Sequence, residues 1–215
     1  IHLMPGNYHT ERAKNDTSQA ALFDRGLYLY QGGFAGPLCD NNGRSQAEVI
    51  KRRWPDFKPK KILDLGCTVG NNTLPYADVF PDAELHAIDV AAPCVRYGHA
   101  RAEALGVPCH FHQMNAEDTS FEDESFDLIV SCILFHETSR TGLANILQES
   151  HRLLKPGGMM LHMEVPRTEG DAILKFLYTH CIREEWTTRF KWEPHSIAFW
   201  DNRCVWHRAI GDYLP

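Results

Sequence analysis

From Lys60 onward, short apolar runs alternate with longer amphipathic ones. Lys61–Leu65 (KILDL), Glu84–Asp89 and residues 108–113, 126–133 and 159–165 are runs of strand length. The fourth of them, FDLIVSCI, is apolar at nearly every position, as a strand covered on both faces of a parallel sheet must be. Between these runs the pattern is helical. Residues 71–80 predict a short helix with Pro75 in its first turn. Ala92–Leu105 predicts a longer one, with Pro93 near its start and Gly106 as its stop. Residues 141–154 place Leu143, Ile146, Leu147, Leu153 and Leu154 on one helical face, and Lys155-Pro156-Gly157-Gly158 ends that run. Strands and helices alternating at this spacing imply right-handed crossovers and an α/β fold with a doubly wound, mostly parallel sheet.

The ends of the chain are less regular. Ser18–Tyr30 reads as a helix with Ala21, Leu22, Leu27 and Leu29 partly on one face, and residues 31–37 read as a glycine-rich loop. Asp40-Asn41-Asn42-Gly43 is a turn cluster. Ser45, with Glu48 three positions on, forms a capping-box pattern for a helix running through Val49 and Ile50 to about Trp54, where Pro55 stops it. Residues 1–43 are therefore expected to be an accessory segment and 44–215 the main domain. After the fifth strand, residues 171–182 predict a helix, and residues 196–210 predict a hairpin around Asp201-Asn202.

Chemistry concentrates in ILDLGCTVGNNT, residues 62–73. A strand that ends in a glycine turn aims backbone N–H groups at a ligand, beyond the carboxyl ends of the strands. A dinucleotide asks for GxGxxG at this position. Here the glycines are Gly66 and Gly70, and Asp64 stands just ahead of them. An anion beside the turn opposes pyrophosphate and suits a ligand with an ammonium group; an ordinary strand–turn–helix junction is the plainer alternative. Asp89, at the end of the second strand, can accept hydrogen bonds from both hydroxyls of a ribose or simply cap the next helix. Asn115-Ala116-Glu117, after the third strand, can read the amino edge of adenine or be a polar loop.

The bulk numbers narrow the field modestly. With 215 residues the chain suits one domain with a small addition. A net charge of −6 weighs against a dedicated nucleic-acid face. No apolar run approaches the roughly 20 residues that span a bilayer, and no stretch has the pattern of a secretory signal. The sequence begins at Ile1 rather than Met, so a preceding segment is left open. Seven scattered cysteines without a CxxC pair suggest reduced thiols and a cytoplasmic setting, not a disulfide framework or a zinc knuckle. His110 and His112 share one side of the third strand with no third ligand nearby in sequence, so they read as structural and no metal site is expected.

Taken together, ILDLGCTVG (62–70), Asp89 in HAIDV, NAEDTSFEDESFDLIVS (115–131) and the LLKPGG turn (153–158) resemble the class I S-adenosylmethionine-dependent methyltransferases, over about residues 44–165. The likeness is greatest to the small-molecule branch that includes the ubiquinone/menaquinone-type enzymes. The resemblance implies a seven-stranded Rossmann-like sheet with an N-terminal helical cap, and S-adenosyl-L-methionine as cofactor. It implies that Asp64 and Gly66, with Cys67 and Gly70 in the same loop, meet the methionine end. Asp89 would bind the ribose and Val90 would pack on the adenine. Asn115, Ala116 and Glu117 would surround the adenine edge, and Ser131 and Cys132 would line the floor beneath the sulfonium. The chain departs from the family pattern at Val69, where many members have a third glycine, and at Asn115, where Asp is common.

His136-Glu137 follow the fourth strand directly, at the edge where a methyl group would be presented. His136 is the candidate general base, with a helix-start or packing role as the alternative. Glu164 and Arg167 are weaker candidates, and the aromatic tail (Trp186, Phe190, Trp192, Phe199, Trp200, Trp206) is a candidate acceptor wall. The expected reaction is methyl transfer to O, N or C of a small-molecule acceptor. The rivals are a methyltransferase-fold protein that binds cofactor without catalysis and a nicotinamide-dependent oxidoreductase. Oligomeric state is not readable from the sequence.

Overall fold

A computed structural model describes residues 8–164. The predicted helix over Ser18–Tyr30 is present as α1, and α2 spans Asn41–Arg53. The alternation then runs β1 (Lys61–Leu65), α3 (Tyr76–Val79), β2 (Glu84–Asp89), α4 (Ala92–Leu105), β3 (His110–Gln113), β4 (Phe126–Cys132), α5 (Arg140–Leu153) and β5 (Leu154–Met163). The five strands form one sheet in the order β3-β2-β1-β4-β5, with every pair parallel. Strand order reverses between β1 and β4, which places a ligand crevice beyond their carboxyl ends. The sixth and seventh strands expected from the resemblance, the helix at 171–182, the hairpin at 196–210, Arg167 and the aromatic tail lie outside the described residues.

The central strands of the sheet are buried on both faces. Ile62, Leu85, Leu128 and Val130 pack on one side with Ala47 and Ile50 of α2 and with Tyr76, Val79 and Phe80. Leu63, Leu65, Ile88 and Ile129 pack on the other with Ile146 and Leu153 of α5. Asp127 ties two strand starts together, its Oδ2 accepting from the backbone N–H groups of Lys60 and Lys61 at 2.9 and 2.8 Å.

Four elements differ from the sequence expectation, the first being β5, which begins at Leu154 and takes in the Lys155–Gly158 run expected to be a turn. Helix α2 starts at Asn41, so the supposed turn Asp40–Gly43 is its first turn and Ser45 lies inside it. Gly43 is needed for contact and not for a turn: a Cβ there would sit 2.1 Å from the Asn72 carbonyl oxygen. The buried stripe of α2 is Gly43, Gln46, Ala47 and Ile50, which leaves Val49 exposed. After β1 the expected helix over 71–80 shrinks to Tyr76–Val79. Pro75 has no N–H to continue the ladder, and the preceding residues wind as turns. In α5, Leu147 faces outward; Gly142, Ile146, Glu149, Ser150 and Leu153 form the buried stripe.

Candidate active site

At the carboxyl edge of β1, β2 and β4 lies a cavity of about 410 Å³. Gly66, Asp89, Val90, Asn115, Ala116, Glu117, Cys132 and His136 line it together, although they come from five separate stretches of sequence. Asp64, Cys67, Gly70 and Ser131 do not line it and stand behind its wall.

The glycine loop is held by what surrounds it. Gly66 has φ +68°, and a Cβ there would fall 2.7 Å from Leu134 Cδ1. The Cys67 N–H donates to the Ile88 carbonyl at 3.0 Å, and burial pushes the Cys67 thiol well above its usual range. Gly70, at φ +76°, presses against the Phe111 ring. Thr68 takes φ +47° although it is β-branched, and Ile133 takes φ +57°. Both line the cavity, and left-handed β-branched residues mark strain of the kind that gathers at functional sites.

Asp89 is what holds Thr68 there. Its Oδ2 accepts from the Thr68 N–H at 3.0 Å and its Oδ1 from the Ala91 N–H at 2.8 Å, and the residue lines the cavity. Burial raises the Asp89 pKa, and these backbone donors work against the rise. Asp64 is 2% exposed and accepts from Thr73 Oγ1 at 2.5 Å. Burial lifts its carboxyl to about 7 against that hydrogen bond, and the nearby Asp89 charge adds to the rise.

Asn115 Oδ1 accepts from the Glu117 N–H at 3.1 Å, and Glu117 Oε2 accepts from Asn145 at 2.8 Å, so the loop after β3 is ordered by its own side chains. Ser131 Oγ lies 2.9 Å from His162 Nδ1, and the Cys132 thiol, pushed up to about 12 by burial, faces Asn42 at 3.9 Å. His136 sits on a 3₁₀ turn, Phe135–Glu137, directly after β4. Its Nδ1 is 3.1 Å from Glu164 Oε2 and its Nε2 is 3.2 Å from Glu137 Oε1. The other Glu164 oxygen accepts from the Phe135 N–H at 2.5 Å.

Much of the remaining wall carried no signal in the sequence. Tyr8, Phe23, Leu27 and Gln31 reach the cavity from the chain before β1, and Asn71 and Asn72 from the loop after it. Gln31 Oε1 and Asn71 Oδ1 are buried and have no hydrogen-bond partner among the described residues. Asp89, Glu117 and Glu137 line the cavity, while no Lys or Arg among the described residues does. Such a site suits a cation and repels a phosphate.

Residues 62–158 match the family model described as a methyltransferase domain. Over this stretch the chain is similar to the methyltransferases. Demethylmenaquinone methyltransferase of Thermus thermophilus is 32% identical over 108 residues, 50% of this chain and 48% of that protein. A Schizosaccharomyces pombe protein described as a candidate alpha-ketoglutarate-dependent sulfonate dioxygenase is 44% identical over 63 residues, 29% of this chain and 16% of that protein. Among solved structures, a candidate S-adenosyl-L-methionine-dependent methyltransferase of Methanococcus maripaludis superposes with a TM-score of 0.57 at 19% identity, covering 80% of this chain and 74% of that one, a likeness of fold. The chain spans about half the length, or less, of these curated relatives.

The domain implies S-adenosyl-L-methionine, and the residues present fit it. Two buried acceptor oxygens lack partners among the described residues, and a wall with three carboxylates and no described Lys or Arg suits a ligand with a sulfonium and an ammonium.

Proposed function

We propose that this protein is an S-adenosylmethionine-dependent methyltransferase acting on a small-molecule acceptor. The observation that carries the reading is one cavity walled by Gly66, Asp89, Val90, Asn115 and His136, with carboxylates and, among the described residues, no Lys or Arg side chain. When bound, S-adenosyl-L-methionine supplies an electrophilic methyl group on a sulfonium. Asp89 binds the ribose hydroxyls, Val90 packs on the adenine, and Asn115, Ala116 and Glu117 surround its edge. Gly66, Asp64, Gln31 and Asn71 serve the amino acid end. Cys67 and Gly70 shape the loop behind it, and Ser131 and Cys132 form the floor.

His136 is the base in this proposal. Glu164 accepts from its Nδ1–H, which leaves the lone pair on Nε2 to take a proton from an acceptor hydroxyl, amine or acidic carbon. The imidazolium that forms lies between Glu164 and Glu137 and is stabilised by both. A second reading, cofactor binding without transfer, makes this dyad incidental. A nicotinamide enzyme is disfavoured by the glycine spacing and by the lack of a Lys or Arg on the cavity wall among the described residues.

The chain before β1 acts as a cap in this proposal, since Tyr8, Phe23, Leu27 and Gln31 all contribute to the cavity. The Thermus relative is named a demethylmenaquinone methyltransferase, which supports a small-molecule acceptor over nucleic acid. No helix among the described residues is long and apolar enough to cross a membrane, and a cytoplasmic enzyme is the reading we adopt.

Calorimetry with S-adenosylmethionine and with its demethylated product tests the binding half. Both should bind and NADH should not; NADH binding alone would overturn the proposal. A tritiated-methyl screen over metabolites tests the transfer half. In the acceptor assay that results, His136→Ala should lower turnover by about 10²–10⁴-fold while changing cofactor affinity far less. Unchanged turnover would leave His136 a structural residue.

A further inference from the structure

The cluster Glu84, His86 and His110 was not legible as a unit, because its members come from two strands. Parallel pairing sets His86 opposite His110 and His112 two residues further along the same face. Glu84 precedes His86 by two positions on β2, so it shares that face as well. The three donor atoms lie within 4.8 Å of one another. Glu84 Oε1 is 2.9 Å from His86 Nε2 and 3.5 Å from His110 Nε2. An ion held at about 2.0–2.2 Å from N and O donors needs donor-to-donor separations of this order. The remaining separation, between the two imidazole nitrogens, can be closed by the exposed His110 ring.

We infer that Glu84, His86 and His110 form a binding site for a divalent transition metal at the amino ends of β2 and β3. The donor set of two imidazoles and one carboxylate is that of open zinc-type sites, with room for water in the fourth position. His86 Nδ1 lies 3.2 Å from His112 Nε2, so with a metal on Nε2 the Nδ1–H donates to His112, which fixes the ring. Phe121 and Phe126 stand edge-on to His86 at 5.8 and 5.4 Å between centroids and wall the site on its buried side. Lys61 Nζ approaches only the other Glu84 oxygen, at 3.8 Å, and leaves Oε1 to the histidines. From Glu84 to Asp89 the strand runs roughly 16 Å at about 3.3 Å per residue. The site is therefore at the opposite end of β2 from the cavity, and its role is to clasp β2 to β3, not to take part in transfer.

The test is zinc binding to the full chain, free of any affinity tag, by equilibrium dialysis and calorimetry. One zinc per chain is expected, with His110→Ala and Glu84→Gln each weakening it at least about tenfold. His151→Ala, at an exposed position on α5, should leave it unchanged. Cobalt loading should give visible bands without sulfur-to-metal charge transfer, which separates this site from the cysteines. No zinc uptake, wild-type affinity in His110→Ala, or a thiolate charge-transfer band from the single bound cobalt would each overturn the inference. His110 is chosen because its side chain is 59% exposed, so its loss tests binding without disturbing the fold.

Discussion

Two carboxylates set the character of the site at the level of single residues. Asp64 and Asp89 both stood out in the sequence, because each is a charged side chain within or at the end of an apolar strand. What the sequence could not show is how differently they are held. Asp89 has backbone donors on both of its oxygens, whereas Asp64 has one hydroxyl and deep burial. A carboxyl raised to about 7 in the fold and near 4 in the unfolded chain favours folding while protonated. That contribution is complete below pH 4 and is lost as pH rises to 7, after which the ionised group is a standing cost. Asp64→Asn should therefore stabilise the ligand-free protein at pH 8 by on the order of 2 kcal/mol, and its amide oxygen can still accept from Thr73. The same change should weaken binding of the demethylated cofactor product, because it removes the Asp64 charge that attracts the ligand's ammonium group from behind the cavity wall. Thermal unfolding read beside calorimetric affinity decides it. A variant with no gain in stability, or with wild-type affinity, removes Asp64 from this role. Asp89→Ala should weaken affinity and also release Thr68 from its left-handed conformation, so both affinity and loop protection in hydrogen exchange should fall.

Secondary elements were legible where punctuation and period agreed. Helix α4 carries Pro93 at its start and Gly106 at φ +68° after its end, so its bounds could be read directly. Strand β4 stood out as a nearly unbroken apolar run. Helix α2 misled because Asp-Asn-Asn-Gly is turn chemistry in isolation, and only the approach of Asn72 explains a glycine inside a helix. Gln46 on that helix donates to the carbonyls of Ser131 and Leu161 at 3.0 and 3.2 Å, which fixes α2 across the ends of β4 and β5. Gly43 is thus the point at which α2 meets the loop after β1. Its N–H donates to Asn72 Oδ1 at 3.1 Å, and Asn42 beside it lines the cavity. Gly43→Ala offers a better helix former by about 1 kcal/mol, yet the clash is with backbone and cannot be relieved by a rotamer change. The overpacking should win, with a net loss of about 1–3 kcal/mol in denaturant unfolding and weaker cofactor binding. A variant as stable as wild type would show that the loop yields easily.

Across the described molecule, distant stretches are joined by a few buried ion pairs, which no periodicity announces. Arg101 of α4 donates to Asp24 of α1 at 2.5 Å and to the Leu38 carbonyl at 2.6 Å, and Tyr97 donates to Asp24 at 2.9 Å. These bonds fasten the segment that supplies Phe23, Leu27 and Gln31 to the cavity. A second junction joins α5 to the loop before β4. Glu149 Oε1 accepts from the Thr119 N–H and hydroxyl at 2.8 and 2.6 Å, and Arg152 donates to both Glu149 oxygens. Arg152 in turn holds the Phe121 carbonyl and Asp123. The Arg152 guanidinium is the main reason that the Glu149 carboxyl falls to about 2, with the Thr119 donors helping and burial opposing. A carboxyl lowered in the fold stabilises above its unfolded pKa of about 4.3, and the contribution disappears as pH falls toward 2. The junction should then contribute about 3 kcal/mol at pH 6. The half-buried His162, lowered to about 4 by burial, works on a higher window: its contribution is lost as pH falls from 6.5 to 4. Asp64 gains over much of that range and opposes it, so the wild-type curve should be shallow from pH 6 to 4.5 and steep below. Glu149→Gln keeps an acceptor for Thr119 and removes the titration. It should be less stable than wild type at pH 6, and the two curves should converge near pH 2 in acid titrations of unfolding free energy. Parallel curves at all pH values would show that the junction acts through shape and not through charge.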